Sequence, residues 1–277
     1  MQKQQTIRLE NGRTLILPPW AGGQAGYGNL EIPDIRDVYS NQAYPVGTKM
    51  LDGERVFYYA KTSATGITNT DLGVKQGYRQ HVGFTTLAEP VVVGAKTIVI
   101  DIKTNHGIAG GGVIAENELA GGFLVVFPVG MTNSFVCRIL TNTATTGTSQ
   151  EMTLTLQDEI PILMAANTSN LECMASMFTG CETNSDDQEP VVGVAHFAVP
   201  GDNWFWLQTW GPVWLAPQGE VGDAGHDHQV VFRHDGSLDE HDYNDAYTRK
   251  QQHAGFTLSH KYGGGQAAPF FFLQITP

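Results

Sequence analysis

The chain has 277 residues with 28 acidic against 16 basic side chains. A net charge of −12 excludes general nucleic-acid affinity, because counterion release needs clustered Lys and Arg. The length holds one large β domain or two of ordinary size. Only 16% of residues are charged and 32 are Gly, so the surface is polar and uncharged. Such a surface suits a plain β protein, or a subunit that buries much of itself against neighbours.

Residues 1–42 read as an extended arm. Ile7-Arg8-Leu9 and Thr14-Leu15-Ile16-Leu17 flank Asn11-Gly12, a two-residue hairpin signal. Beyond them Pro18-Pro19-Trp20 leads into a Gly-rich stretch ending at Tyr27-Gly28, which has little power to hold its own fold and orders by lying on something else. Trp20 and Tyr27 are its candidate anchors.

A β domain is expected over 43–180. The segments on either side of Asp52-Gly53 read as paired strands, and Val91-Val92-Val93 is expected to pair with 96–103 about Gly94-Ala95. Residues 123–128, 134–140 and 151–156 follow as strands, with 142–150 as a loop. One short helix is predicted over 169–178, where Leu171, Met174, Ala175 and Phe178 fall at helical spacing and Gly180 can end it. A second β region over 181–277, able to run on from the first, contains strands at 191–198, 203–209, 229–233 and 270–275, with a turn at Asp235-Gly236. No fixed-period repeat is present, which disfavours a propeller or solenoid. The fold class is therefore all-β, a sandwich or barrel with an N-terminal arm and one short helix.

Cys137, Cys173 and Cys181 leave one thiol unpaired under any pairing, and none sits in a CxxC. A reduced compartment follows, although Cys173 and Cys181 could pair across a loop. No apolar stretch approaches the roughly 20 residues that span a bilayer. The start Met1-Gln2-Lys3-Gln4 has no apolar signal region.

Six of nine His lie in the last quarter, including His226 and His228, interleaved with Asp. A His-x-His strand puts two rings on one face. The carboxylate that a cupin-type metal site places a few residues later is missing, since Gln229, Val230, Val231, Phe232 and Arg233 follow. These His and Asp are read as pairing with each other or with a neighbouring subunit, and no metal or cofactor is assigned. No Gly-x-Ser-x-Gly elbow occurs, and the Gly triplets lack a Walker lysine. No catalytic residue is assigned and the chain is not expected to be an enzyme. Trp204, Trp206 and Trp210 would share one strand face with Phe205 and Leu207 on the other. Apolar residues on both faces point to a core or inter-subunit strand more than to a glycan platform.

Three passages resemble segments of tailed-phage structural proteins. They are Tyr44-Pro45-Val46-Gly47-Thr48-Lys49 with Arg55-Val56-Phe57-Tyr58-Tyr59-Ala60-Lys61, then Val192-Gly193-Val194-Ala195 with Trp204 to Pro212, and Val231-Phe232-Arg233-His234-Asp235-Gly236-Ser237-Leu238. They are similar to passages in virion-associated proteins encoded beside capsid genes, including capsid decoration (cement) proteins. The resemblance implies a structural virion protein, assembled in the host cytoplasm and holding a capsid together from outside. Its partners would be the major capsid protein, other virion subunits and copies of itself, with no nucleic acid and no membrane. The interface residues to test are Trp20, Tyr27, Trp204, Trp206, Trp210, His226 and His228. A carbohydrate- or receptor-binding β module of a tail or spike is the alternative, separated by whether the tryptophans between 204 and 214 are exposed.

Overall fold

A computed structural model describes residues 5–19, 33–77, 81–108, 110–127, 133–167, 169–183, 189–218, 221–222, 228–242, 244, 246, 250–258 and 270–277. Twenty strands run in chain order. The first five are β1 (Gln5–Arg8), β2 (Thr14–Leu17), β3 (Lys49–Asp52), β4 (Arg55–Thr62) and β5 (Leu72–Gln76). Next come β6 (Val82–Thr86), β7 (Thr97–Ile102), β8 (Val113–Ile114), β9 (Phe123–Phe127) and β10 (Phe135–Asn142). They are followed by β11 (Thr145–Thr146), β12 (Gln150–Leu156), β13 (Asn170–Met174), β14 (Thr179–Thr183) and β15 (Val191–Ala195). The last are β16 (Trp204–Trp214), β17 (Gln229–Phe232), β18 (Leu238–Glu240), β19 (His253–Thr257) and β20 (Phe270–Gln274).

The protein is all-β, and the described residues contain no α-helix. The helix predicted over 169–178 is corrected to β13 and the turn that leads into β14. Leu171 and Cys173 are buried while Met174 is exposed, a period of two. Backbone partners on both sides, β6 and β9, override the helical spacing. Gly180 ends no helix. It sits at an irregularity in β14 with φ of 77°, as a bulge requires.

The chain divides into two units, at other places than the expected 42 and 180. Among the described residues, one unit holds 18–19 and those between 81 and 177; the other holds 5–17, 33–77 and those from 178 onward. The first is thus inserted between β5 and β14 of the second. Residues 5–17 of the expected arm are the antiparallel hairpin β1–β2, which extends the sheet beyond β3.

In the larger unit, β4, β14, β5, β15 and β16 are neighbours in that order, and a β4–β16 pairing closes them into a barrel. Closure removes free edges that would otherwise template aggregation. Ala60, Ile67, Val74, Cys181, Val192, Phe205 and Leu207 are among the residues that fill it. Two long strands carry the sheet out of the barrel. β4 pairs with β3 through Arg55 to Tyr58 and with β14 through Lys61 and Thr62. β16 pairs with β15 at Gln208 and with β20 from Trp210 onward. Beyond β20 lie β19, β17 and β18, over a second core that includes Val213, Leu215, Val230, Phe232, Phe271 and Leu273.

The inserted unit is a six-stranded antiparallel sheet, β6-β13-β9-β10-β12-β7. A bridge from Leu87, just after β6, to Ile100 of β7 joins its two ends. Inward residues such as Ile98, Ile100, Leu124, Val126, Ile139, Leu154 and Leu171 form one core. The expected pairing of Val91-Val92-Val93 with 96–103 is corrected: Val91 bridges Met164, and Val92 opens a turn closed by the Ala95 N–H.

Two buried histidines brace this unit. His81 Nε2 lies 2.7 Å from Glu118 Oε1, and Glu118 Oε2 accepts the Ala115 N–H. His106 Nδ1 accepts the Lys103 N–H at 2.9 Å, leaving Nε2–H to donate to the Gly83 carbonyl at 2.9 Å. Burial, with Lys103 nearby, pushes the His106 imidazole below its ordinary value of 6.5. The unfolded chain therefore takes up this proton first, and the stabilisation present above pH 6.5 is lost as pH falls. Melting temperatures between pH 8 and 5 are expected to fall less steeply in His106→Gln than in the wild type. Equal slopes would contradict this role for His106.

Candidate functional site

The four tryptophans of β16 take three different environments. Trp206 is fully buried, its ring centroid 5.1 Å from that of Tyr59 and 5.3 Å from that of Tyr44. It shares a core with Leu15, Met50 and Phe57 and is no interface residue within this fold. Trp204 is half-buried, with the Lys61 ammonium 5.2 Å from its ring centre. Trp210 is half-buried and Trp214 is exposed.

The change of environment along one strand has a local cause. Between Gln208 and Trp210 the register against β4 shifts by one residue, which exchanges the faces of everything that follows. Buried Gln208 holds the shift: its amide donates to the Trp210 carbonyl at 3.1 Å and the Pro212 carbonyl at 3.0 Å. Its Oε1 lies 2.8 Å from His196 Nε2. Gly211 follows with φ of 95°.

Beyond the shift, Val213 and Leu215 point into the core while Trp210, Pro212 and Trp214 line the opposite face. Their cross-strand partners in β20 are Gln274, Phe272 and Phe270. Phe256 of β19 stands beside Phe272, the rings stacked at 5.4 Å and 6°. Trp210 meets Phe272 edge-on at 5.6 Å. Exposure is 40% for Trp214, 37% for Phe256, 44% for Leu258 and 46% for Phe270. The result is a continuous aromatic and aliphatic face on β16, β20 and β19.

The inserted unit also leaves apolar side chains in solvent. Val92 and Val93, at the turn after the Val91–Met164 bridge, are 63% and 62% exposed, and Leu163 is 71% exposed. On the outer side of its sheet, Phe84 and Val136 are exposed, with Phe84 stacked on Phe127. Single exposed apolar residues need no explanation, but contiguous ones mark interaction sites.

Of the sequence-derived interface residues, Trp20, Tyr27 and His226 lie outside the described residues. His228 is exposed, its Nδ1 3.3 Å from Thr257 Oγ1, on the face of β19 opposite to Phe256. Trp210 belongs to the aromatic face; Trp204, Trp206 and His228 do not. Trp214, Phe256, Leu258 and Phe270 were missed as site residues. The run Phe270-Phe271-Phe272 was legible as a strand, but no sequence signal says which of its faces lacks a cover. Among the described residues, no three His, Cys, Asp or Glu side chains are placed to hold a metal ion. All three cysteines are free and buried, and burial pushes the Cys137 thiol up, so none is poised as a nucleophile.

A scan against protein-family models, a search of curated proteins and a search of solved structures find no match to this chain.

Proposed function

We propose that the protein is a structural virion protein that binds and stabilises a phage capsid as a decoration subunit. The observation carrying this reading is the exposed face of Trp214, Phe256, Leu258 and Phe270. It mixes rings with aliphatic carbon on a flat sheet, the composition of a protein–protein contact whose core is depleted in charge. The further exposed apolar residues of the inserted unit fit a subunit that meets neighbours through both units. The resemblance of 44–61, 192–212 and 231–238 to virion proteins points the same way.

The double variant Trp214→Ser/Phe270→Ser tests it. Both side chains are already substantially exposed, so thermal stability should change by no more than about 0.5 kcal/mol per site. Self-association and co-sedimentation with capsid shells should fall at least tenfold. Unchanged association by a folded double variant would contradict the reading.

A carbohydrate- or receptor-binding role draws support from the same aromatic rings, which can stack on sugar faces. Leu258, Pro212 and the apolar residues of the inserted unit have no place in that account. Saturable binding of a soluble polysaccharide, lost in Trp214→Ala, would favour it.

A further inference from the structure

Lys75 projects from β5 on the wall of the barrel, directly opposite Glu182 of β14 and beside the start of β15. Its side chain is only 8% exposed. Nζ stands 2.6 Å from Glu189 Oε2 and 3.6 Å from Glu182 Oε1. Glu189 is 10% exposed. Ser63 Oγ donates to Glu182 Oε2 at 2.7 Å, fixing that carboxylate. The Glu182 carboxylate also packs over Gly77, where a Cβ would lie 2.6 Å from Glu182 Cδ and push that side chain aside. One buried amine thus faces one carboxyl in contact and a second carboxylate held within reach.

We propose that this cluster forms an intramolecular amide between Lys75 Nζ and Glu189 Cδ, with Glu182 as the proton carrier. Burial disfavours the ammonium and the two carboxylates outweigh it, so the unreacted site rests as an ion pair. Transfer of one proton along the short Lys75–Glu189 contact gives the neutral amine and carboxylic acid that react; the two carboxylates keep most of the population in the ion-paired form, so the reaction is slow. The Nζ lone pair then attacks Cδ of Glu189. Glu182 takes a proton from the nitrogen as the N–C bond forms and returns it to the departing hydroxyl, which leaves as water. Nothing is oxidised or reduced, one water is released, and Glu182 ends as the carboxylate it began as.

The position gives such a bond a purpose. Residues 75 and 189 bracket the segment Tyr78–Met177 that forms the inserted unit. An amide between them closes that unit into a covalent loop anchored on the barrel. The chain's cysteines are all free, so no disulfide does this. The inference is independent of the capsid reading.

Intact mass of the denatured, reduced chain tests it. The wild type is expected one water lighter than its sequence requires, either as isolated or after prolonged incubation at neutral pH. Lys75→Met and Glu182→Gln are expected at full mass. Glu182→Gln keeps the shape of the site, and a cooperative melt for it shows that lost chemistry is not lost folding. Fragments from a single proteolytic cut between residues 78 and 177 should stay joined on a reducing, denaturing gel in the wild type and separate in Lys75→Met. A wild-type chain that keeps its full mass would overturn the proposal, as would a water loss that persists in Lys75→Met.

Discussion

Trp206→Ala is expected to lower stability by about 3–5 kcal/mol, the range for removing a large buried ring from a well-packed core. Trp206 is fully buried and sits where β4 and β16 pair. Its ring packs against Tyr44 and Tyr59, in a core shared with Leu15 and Met50 of the β2–β3 flank. Removing it leaves a cavity at the junction of the barrel and that flank. The matching control is Trp214→Ala on the same strand, which should cost about 1 kcal/mol or less because this ring is 40% exposed and removing it opens no core cavity. Urea midpoints for the two variants measure the contrast directly. Similar losses would mean that the register shift at Gln208 does not separate a core face from a free face.

Gly255→Ala carries the second large effect. Gly255 lies in β19 between Val230 of β17 and Leu273 of β20, with φ of 151°. A Cβ there would fall 1.8 Å from the Phe272 carbonyl oxygen, so the contact is with backbone and no rotamer change relieves it. The substitution must force β19 away from β20. A loss of about 3 kcal/mol or more is expected from strained backbone and broken ladder bonds together. Because β19 and β20 carry Phe256, Phe270 and Phe272, the same change should also disrupt the aromatic face. A folded variant with wild-type stability would contradict the geometry of this sheet.

What the sequence disclosed follows from the range of the forces involved. Turns are local: Asn11-Gly12, Asp52-Gly53 and Asp235-Gly236 were read as turns, and their glycines have φ of 85°, 61° and 82°. The all-β class and many strands were legible for the same reason, since β-branched runs and their Gly punctuation are neighbours in the chain. The helix predicted over 169–178 failed because its correction is non-local. Only the partners β6 and β9, distant in sequence, decide that Leu171 and Cys173 alternate. Barrel closure was invisible on the same grounds: β14 lies between β4 and β5, which precede it by about a hundred residues of inserted chain. The site was half legible. The aromatic character of 204–214 and 270–272 stood out, but Trp206 and Trp214 look alike in sequence. The one-residue shift at Gln208 and the flanking β2–β3 strands separate them. The Lys75, Glu182 and Glu189 cluster gave no signal, because those residues meet only once the barrel forms.

The proposed decoration role stands or falls on sedimentation of the purified protein with shells assembled from a tailed-phage capsid protein. Light scattering of the free protein supplies its mass. A defined oligomer that co-sediments with shells at saturable stoichiometry is expected, and a Trp214→Ser/Phe270→Ser variant that stays in the supernatant while melting normally. A monomer that remains in the supernatant beside intact shells would contradict it.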